Sequence, residues 1–279
     1  MTGSMPTTAS TLEGIAREVR ASVVRMAHTG RTAHVGSALS CVDLLVALYF
    51  DHLNVDPSDP VNPVRDRFIL SKGHGCMALY AVLKKRGFFP GDVLNEYAMD
   101  GGRLPEHPSP GCVPGVEFAT GSLGHGLSAG AGLALGARLS RLDYRTYVLL
   151  SDGECEEGSV WEAALFAPAH GLDRLAVIVD YNKWSAMGPT PHRVGPLAKK
   201  WEAFGWHAVE ADGHDMRSLL QALRTPVPHG RPLAIVAHTV KGKGVSFMED
   251  DLEWHYRPPT ARDLDRALAE LLPREMVAL

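Results

Sequence analysis

Thr146-Tyr147-Val148-Leu149-Leu150-Ser151-Asp152-Gly153-Glu154 and, further along, Leu175-Ala176-Val177-Ile178-Val179-Asp180-Tyr181-Asn182-Lys183 decide how this chain folds. Each is a strand-like apolar run that ends in polar residues, and the helical stretch Gly158 to Phe166 lies between them. Strand, helix, strand at this length is a βαβ unit. It sets Asp152 and Asn182 side by side at the carboxyl edge of a parallel sheet, where open α/β sheets bind ligands. An aspartate and an asparagine there offer two hard oxygen ligands of the kind Mg²⁺ takes, with phosphate oxygens completing the octahedron. Gly153 leaves room for a diphosphate to approach the backbone.

The rest of the composition is that of an ordinary globular chain. Of 279 residues, 45% are hydrophobic and 22% charged, and the formal charge of −4 is carried by scattered side chains. No basic stripe supports nucleic-acid binding, and no apolar run approaches membrane-span length. Met1 to Ser10 is polar and Thr/Ser-rich, without the basic-then-apolar order of a signal peptide, and reads as a disordered lead-in. Cys41, Cys76, Cys112 and Cys155 form no C-x-x-C pair, which argues against structural zinc and suits a cytoplasmic protein. The 13 histidines are the unusual count, several of them in glycine-bounded loops.

Periodicity gives a first helix over Leu12 to Thr29, a loop from Gly30 to Leu39 carrying His34, and an apolar helix Val42 to Phe50 capped by Ser40. A buried strand Phe68-Ile69-Leu70 runs into Ser71-Lys72-Gly73-His74-Gly75, and a helix follows to Lys85. Gly101 to Gly115 is a long Gly/Pro loop with His107, and Gly121 to Leu139 reads as a small-residue helix. Later strands fall at Trp206–Val209 and Leu233–Val236. Together these give one α/β domain over residues 11–258, a doubly wound, mostly parallel sheet with helices on both faces, then a helical tail over 259–279.

Two local patterns point elsewhere and fail in context. Gly126-Leu127-Ser128-Ala129-Gly130 has the form of a nucleophile elbow, and Gly124-x-Gly126-x-x-Ala129 that of a dinucleotide fingerprint. Both require a strand running straight into them, and Thr120 to His125 has no strand character.

The spacing of Asp152-Gly153 and Asn182 resembles the thiamine diphosphate signature. With Ala33-His34-Val35-Gly36, Ser71-Lys72-Gly73-His74-Gly75, Glu106-His107-Pro108, Gly121 to Gly126, Asp212-Gly213-His214-Asp215 and Lys241 to Glu249 leading to Trp254-His255, residues 28 to 257 look like the N-terminal part of transketolases, or the separate N-terminal subunit of split ones.

That resemblance implies thiamine diphosphate bridged to Mg²⁺ (or Ca²⁺ or Mn²⁺) by Asp152, Asn182 and the backbone oxygen of Trp184. It implies cofactor contacts from His74, Gly121, Ser122, Leu123, Gly153, Glu154, Asn182 and Lys241. His34, His107 and His255 would line a substrate channel and move protons on a sugar, and Glu157 would meet an essential glutamate of a partner. The family's reaction carries a two-carbon ketol unit from a ketose to an aldose. The pyrimidine-binding domain and catalytic glutamate are expected from a C-terminal partner subunit, in an α2β2 assembly acting on sugars or sugar phosphates. An acyloin- or deoxyxylulose-type synthase subunit and a non-catalytic assembly protein are the alternatives. His207 and His214 are expected to be structural. Ser151, where the family usually has glycine, and the bulky Trp184-Ser185-Ala186-Met187 are departures that bear on the pocket wall.

Overall fold

In the computed structural model, which describes residues 8–273, the strands divide their side chains between two cores. Phe68, Leu70, Tyr147, Leu149, Ala176 and Ile178 enter one, and Ile69, Val148, Leu150, Val177 and Val179 the other. Near-continuous burial with side chains alternating between faces is what a parallel sheet covered on both sides demands.

The chain order is α1 (Ala9–Thr29), α2 (Val35–Ser40), α3 (Val42–Ala47), β1 (Arg67–Leu70), α4 (Cys76–Arg86), α5 (Gly126–Leu139), β2 (Thr146–Ser151), α6 (Gly158–Ala169) and β3 (Leu175–Tyr181). There follow the two-residue strands β4 (Trp184–Ser185) and β5 (Gly188–Pro189), then α7 (Pro191–Val194), α8 (Leu197–Ala203), β6 (His207–Asp212), α9 (Met216–Leu223), β7 (Leu233–His238) and α10 (Ala261–Leu271). The main sheet has the order β1-β2-β3-β7-β6, every pairing parallel, and β4 and β5 form a small antiparallel hairpin. Helices α1 to α4, α9 and α10 cover one face; α5, α6 and α8 cover the other. This is the doubly wound α/β architecture expected, with the βαβ unit in place: β2 and β3 pair from Thr146 opposite Leu175 to Ser151 opposite Asp180.

The helix ends follow their capping chemistry. Thr8 caps α1 by accepting from the Thr11 amide at 3.2 Å, so residues 8 to 10 of the expected lead-in are the cap and first turn of a helix; residues 1–7 lie outside the described residues. Thr260 and Asp263 form a reciprocal capping box on α10, whose Ala267, Leu268 and Leu271 close the same core as α1. Residues 274–279 of the expected tail lie outside the described residues.

Three local expectations change. The Gly30–Leu39 stretch contains α2, a helix too short to show a period, entered through His34 in a left-handed conformation (φ 70°). Ser40 ends α2 instead of capping α3, and its hydroxyl donates to Asp180 Oδ2 at 2.6 Å. Helix α5 starts at Gly126, because Gly121 to His125 is a turn whose Gly124 amide donates to Glu154 Oε1 at 2.8 Å.

Helix α5 lies so close to β2 that a side chain at Gly130 would sit inside van der Waals contact with Val148 Cγ2, while Gly132 faces open space. Gly130→Ala is expected to lower the urea midpoint by an amount equivalent to about 1–3 kcal/mol. Gly132→Ala should raise it by up to about 1 kcal/mol through helix propensity. Equal midpoints for the two variants would contradict this packing.

Candidate active site

All five strands point the same way, so their carboxyl ends share one edge. The chain leaves β1 and β7 toward the α1–α4 face, and leaves β2 and β3 toward the α5/α6/α8 face. Connections that diverge in this way open a crevice above the sheet edge. A cavity of about 280 Å³ lies there, lined by residues from every one of these connections, among them His34, His74, His107, Gly153, Asn182 and His255.

Beneath it sits a buried ionic network. Asp180 and Lys72 are fully buried and pair at 2.5 Å. Asp180 also accepts from Ser40 at 2.6 Å and from Thr239, and Lys72 donates its remaining reach to the Ser37 carbonyl at 2.8 Å. Burial alone would push the Asp180 carboxyl up and the Lys72 amine down; their mutual attraction and hydrogen bonds outweigh it and drive both the other way, keeping the pair charged.

The metal-side residues are arranged differently. Asp152 is fully buried, yet its hydrogen bonds come from uncharged groups: the Thr190 hydroxyl at 2.5 Å on Oδ2 and the Gly153 amide at 3.0 Å on Oδ1. Burial pushes its carboxyl up to about 7, Thr190 opposing and the Asp180 charge adding to the rise. A carboxylate held in this state gains most from a bound cation. Asn182 Oδ1 accepts from the Trp184 amide at 3.0 Å, which turns the Trp184 peptide toward it. A side chain at Gly153 would lie 3.9 Å from the Trp184 carbonyl oxygen and 2.8 Å from Ser185 Cβ. The missing side chain therefore keeps a narrow space open between the β2 and β3 loops. One carboxylate, one amide oxygen and one backbone carbonyl are hard donors suited to Mg²⁺, and the backbone cleft at Gly153 suits a diphosphate, so these residues fit that pair.

On the opposite wall four imidazoles gather. Ring centroids are 5.3 Å apart for His34 and His74, 4.9 Å for His34 and His255, 6.0 Å for His74 and His255, and 6.5 Å for His34 and His107. Burial lowers His34 to about 4, helped by His107 and Lys241, and lowers His255 to about 3, helped by Lys241 and His34. His74 is driven well below its ordinary value by burial and then Lys72. Near neutral pH these three rings are uncharged. Lys241, lowered to about 8 by burial and Lys72, contacts His255 Nδ1 at 3.0 Å. An ammonium donates there, so the His255 ring carries its proton on Nε2.

The segment bearing Lys241 and His255 is fixed from behind. Arg20 grips Asp43 with both nitrogens, at 3.1 and 2.5 Å, and donates Nε to the Lys243 carbonyl at 2.9 Å. His214 donates Nδ1 to Asp43 at 2.6 Å, while its Nε2 accepts from the Val240 amide at 2.8 Å. The Gly242 amide donates to the Gly36 carbonyl at 2.9 Å, locking this segment onto α2.

Residues 12–271 match the family described as "Transketolase, thiamine diphosphate binding domain". The chain belongs to it. One of the two subunits of an apulose-4-phosphate transketolase from Actinobacillus succinogenes is 44% identical over 93% of this chain and 95% of its own length. A "6-deoxy-6-sulfo-D-fructose transketolase subunit" from Clostridium sp. is 42% identical over 85% of the chain and 88% of its own. Human transketolase is 38% identical over 95% of this chain but only 42% of its own. The transketolase structure from Leishmania mexicana superposes with a TM-score of 0.87 at 29% identity, covering 98% of this chain and 44% of that one. The chain thus corresponds to an N-terminal transketolase subunit, and spans about two fifths of the single-chain transketolases.

Of the residues picked from sequence, His34, His74, His107, Gly121, Leu123, Gly153, Glu157, Asn182, Trp184 and His255 line the cavity together. Asp152 and Lys241 stand directly behind it, fully buried. Ser122 is exposed, its carbonyl taken by His125 Nδ1 at 3.1 Å. The Glu154 carboxylate turns inward to Ser71, Gly124 and Ser151, and its amide donates to Ser151 Oγ at 3.1 Å, so its work is to hold the 121–126 turn. Cys155 is buried, and burial lifts its thiol well above the ordinary value, which leaves it a packing residue. Sequence reasoning gave no role to Lys72, Asp180, Thr190, Thr239, Ser37, Ser40 or Arg193. Lys72 and Asp180 lay inside quoted motifs, and a charge at the end of an apolar strand was the signal available for both. His214 is structural, as expected.

Burial would raise the Asp43 carboxyl, but Arg20 and His214 hold it below the ordinary value. A depressed carboxyl contributes stability above the unfolded range, near pH 4, and loses it as pH falls through the folded value. Asp43→Asn, which strands Arg20, is expected to cost about 3 kcal/mol at pH 7. Urea titrations from about pH 7 to 3 should show wild type losing this advantage only below the ordinary carboxylate range; a difference that vanished by pH 6 would refute the pairing.

Proposed function

We propose that this chain is the N-terminal subunit of a two-component transketolase that binds thiamine diphosphate and Mg²⁺ and, with a C-terminal partner, moves a two-carbon ketol unit from a ketose to an aldose. The observation that carries this reading is one cavity holding both the Asp152–Asn182–Trp184 donor set and the uncharged imidazoles of His34, His74 and His255. Sequence membership in the family supports it independently.

Asp152, Asn182 and the Trp184 carbonyl would hold the cation, and Gly153 and His74 would face the diphosphate. When bound, the cofactor supplies carbanion chemistry that no amino-acid side chain provides. What the chain itself contributes is proton handling and shape. Uncharged His34 can accept a proton from a sugar hydroxyl, and His255, with its proton on Nε2, can donate a hydrogen bond to a carbonyl or hydroxyl oxygen. The neighbouring Lys241 keeps that tautomer in place. Glu157, at the cavity rim, is the residue offered to a partner.

Two relatives of closely matching length carry the word subunit in their names and act, by those names, on a ketose phosphate and a sulfo-ketose. That supports a partner chain, and a donor sugar with an anionic terminal group, for this protein as well. An α2β2 assembly is the arrangement we expect.

Calorimetric titration of the chain with thiamine diphosphate should give binding that requires Mg²⁺. Asp152→Asn should abolish that requirement along with the binding. The same variant, relieved of a buried carboxylate without a cationic partner, should be more stable at pH 8 by roughly 2 kcal/mol. Ketol transfer should appear only when the C-terminal partner is added, and full turnover by the isolated chain would overturn the two-component reading.

A further inference from the structure

Resting on that cofactor reading, we infer that Arg193 is a positioning residue that sets the gap between the two loops carrying the metal donors. Its side chain spans them: Nε pairs with Glu156 Oε1 at 2.6 Å, and Nη2 donates to Ser185 Oγ at 2.6 Å and toward the Gly188 carbonyl at 3.4 Å. Glu156 belongs to the turn that follows Asp152 and Gly153. Ser185 follows Trp184 in the β4–β5 hairpin, and both Glu156 and Ser185 line the cavity.

The position of Arg193 in the chain strengthens the case. It lies on α7, and the residue capping that helix is Thr190, fully buried, whose hydroxyl holds Asp152 Oδ2 at 2.5 Å and whose amide donates to the Lys183 carbonyl at 3.0 Å. A single turn of chain therefore grips Asp152 through Thr190, and ties the Glu156 turn to the hairpin through Arg193. The tip of the hairpin is pinned separately, by the Tyr256 hydroxyl donating to the Ala186 carbonyl.

The gap being set is narrow. Ser185 Cβ stands 2.8 Å and the Trp184 carbonyl oxygen 3.9 Å from where a Gly153 side chain would begin. Mg²⁺ demands near-ideal octahedral geometry and tolerates donor displacement poorly. Arg193 is also the right residue type, since a planar guanidinium can serve a carboxylate and a hydroxyl at once, whereas an ammonium on a flexible stem fixes one. Being part-exposed at the mouth of the site, it contributes little to global stability.

The test uses the full 279-residue chain and reads the Mg²⁺ dependence of thiamine diphosphate binding by calorimetry, beside the thermal midpoint without cofactor. Arg193→Met should raise the Mg²⁺ concentration needed for half-maximal binding by about tenfold or more, as loss of a residue supporting metal ligands does, with the thermal midpoint unmoved. Arg193→Lys should recover part of the loss. Glu156→Gln, which leaves the Ser185 arm in place, should show a smaller rise. Arg174→Met, at the far end of the sheet where Arg174 pairs with Asp143, should match wild type. An unchanged Mg²⁺ requirement in Arg193→Met, or a loss that tracks a lowered midpoint, overturns the positioning role alone. Absence of binding by wild type overturns the cofactor reading and this inference with it.

Discussion

One buried carboxylate organises the functional edge of this protein. Asp180 closes β3, and its oxygens are taken by Lys72 from the end of β1, by Ser40 from the end of α2 and by Thr239 from the end of β7. Each donor has a site residue beside it: Lys72 stands two residues from His74, Ser40 shares α2 with Ser37 just after His34, Thr239 leads to Lys241, and Asp180 itself precedes Asn182. A charge in the interior is costly unless all its hydrogen-bonding capacity is met in good geometry. The loops around Asp180 consequently have a narrow choice of positions. The cavity is accurate because the network below it is intolerant.

Electrostatic roles are partitioned around this network with little waste. Lys72 and Asp180 neutralise each other, so a strong charge is spent on architecture. Asp152 is left with neutral donors, which reserves its charge for a cation. The imidazoles, crowded by one another and by two lysines, are kept uncharged by burial. Three neighbouring groups of similar intrinsic chemistry are thus held in different states by environment alone.

What could be read from the sequence follows from how local the information is. The βαβ unit from Thr146 to Asn182 was legible because strand, helix and strand each show their period, and the parallel connection leaves one geometry for their ends. The histidines were legible as a group through the motifs around them. The Asp180 partners were not, since Ser40, Lys72 and Thr239 meet it only through the tertiary fold. Helix α2 escaped notice because six residues hold less than two turns, too few for a pattern. The Glu154 side chain was misjudged in direction: its backbone neighbours face the cavity, while its carboxylate serves the turn at Gly124. Arg193 carries no sequence signal at all, for a single arginine after a Pro-rich turn reads as surface.

The strand order has a consequence for how the chain is made. Strand β7 lies between β3 and β6 in the sheet but follows both in the chain. Until residues 233–238 leave the ribosome, the outer edge of β3 has no neighbour, and its row of amides and carbonyls is open to pairing with another nascent chain. The strand that arrives to fill the gap also brings Thr239 to Asp180 and carries Lys241 and His255 toward their places. Closing the hazardous edge and completing the reaction chamber are therefore one late event in the life of the polypeptide.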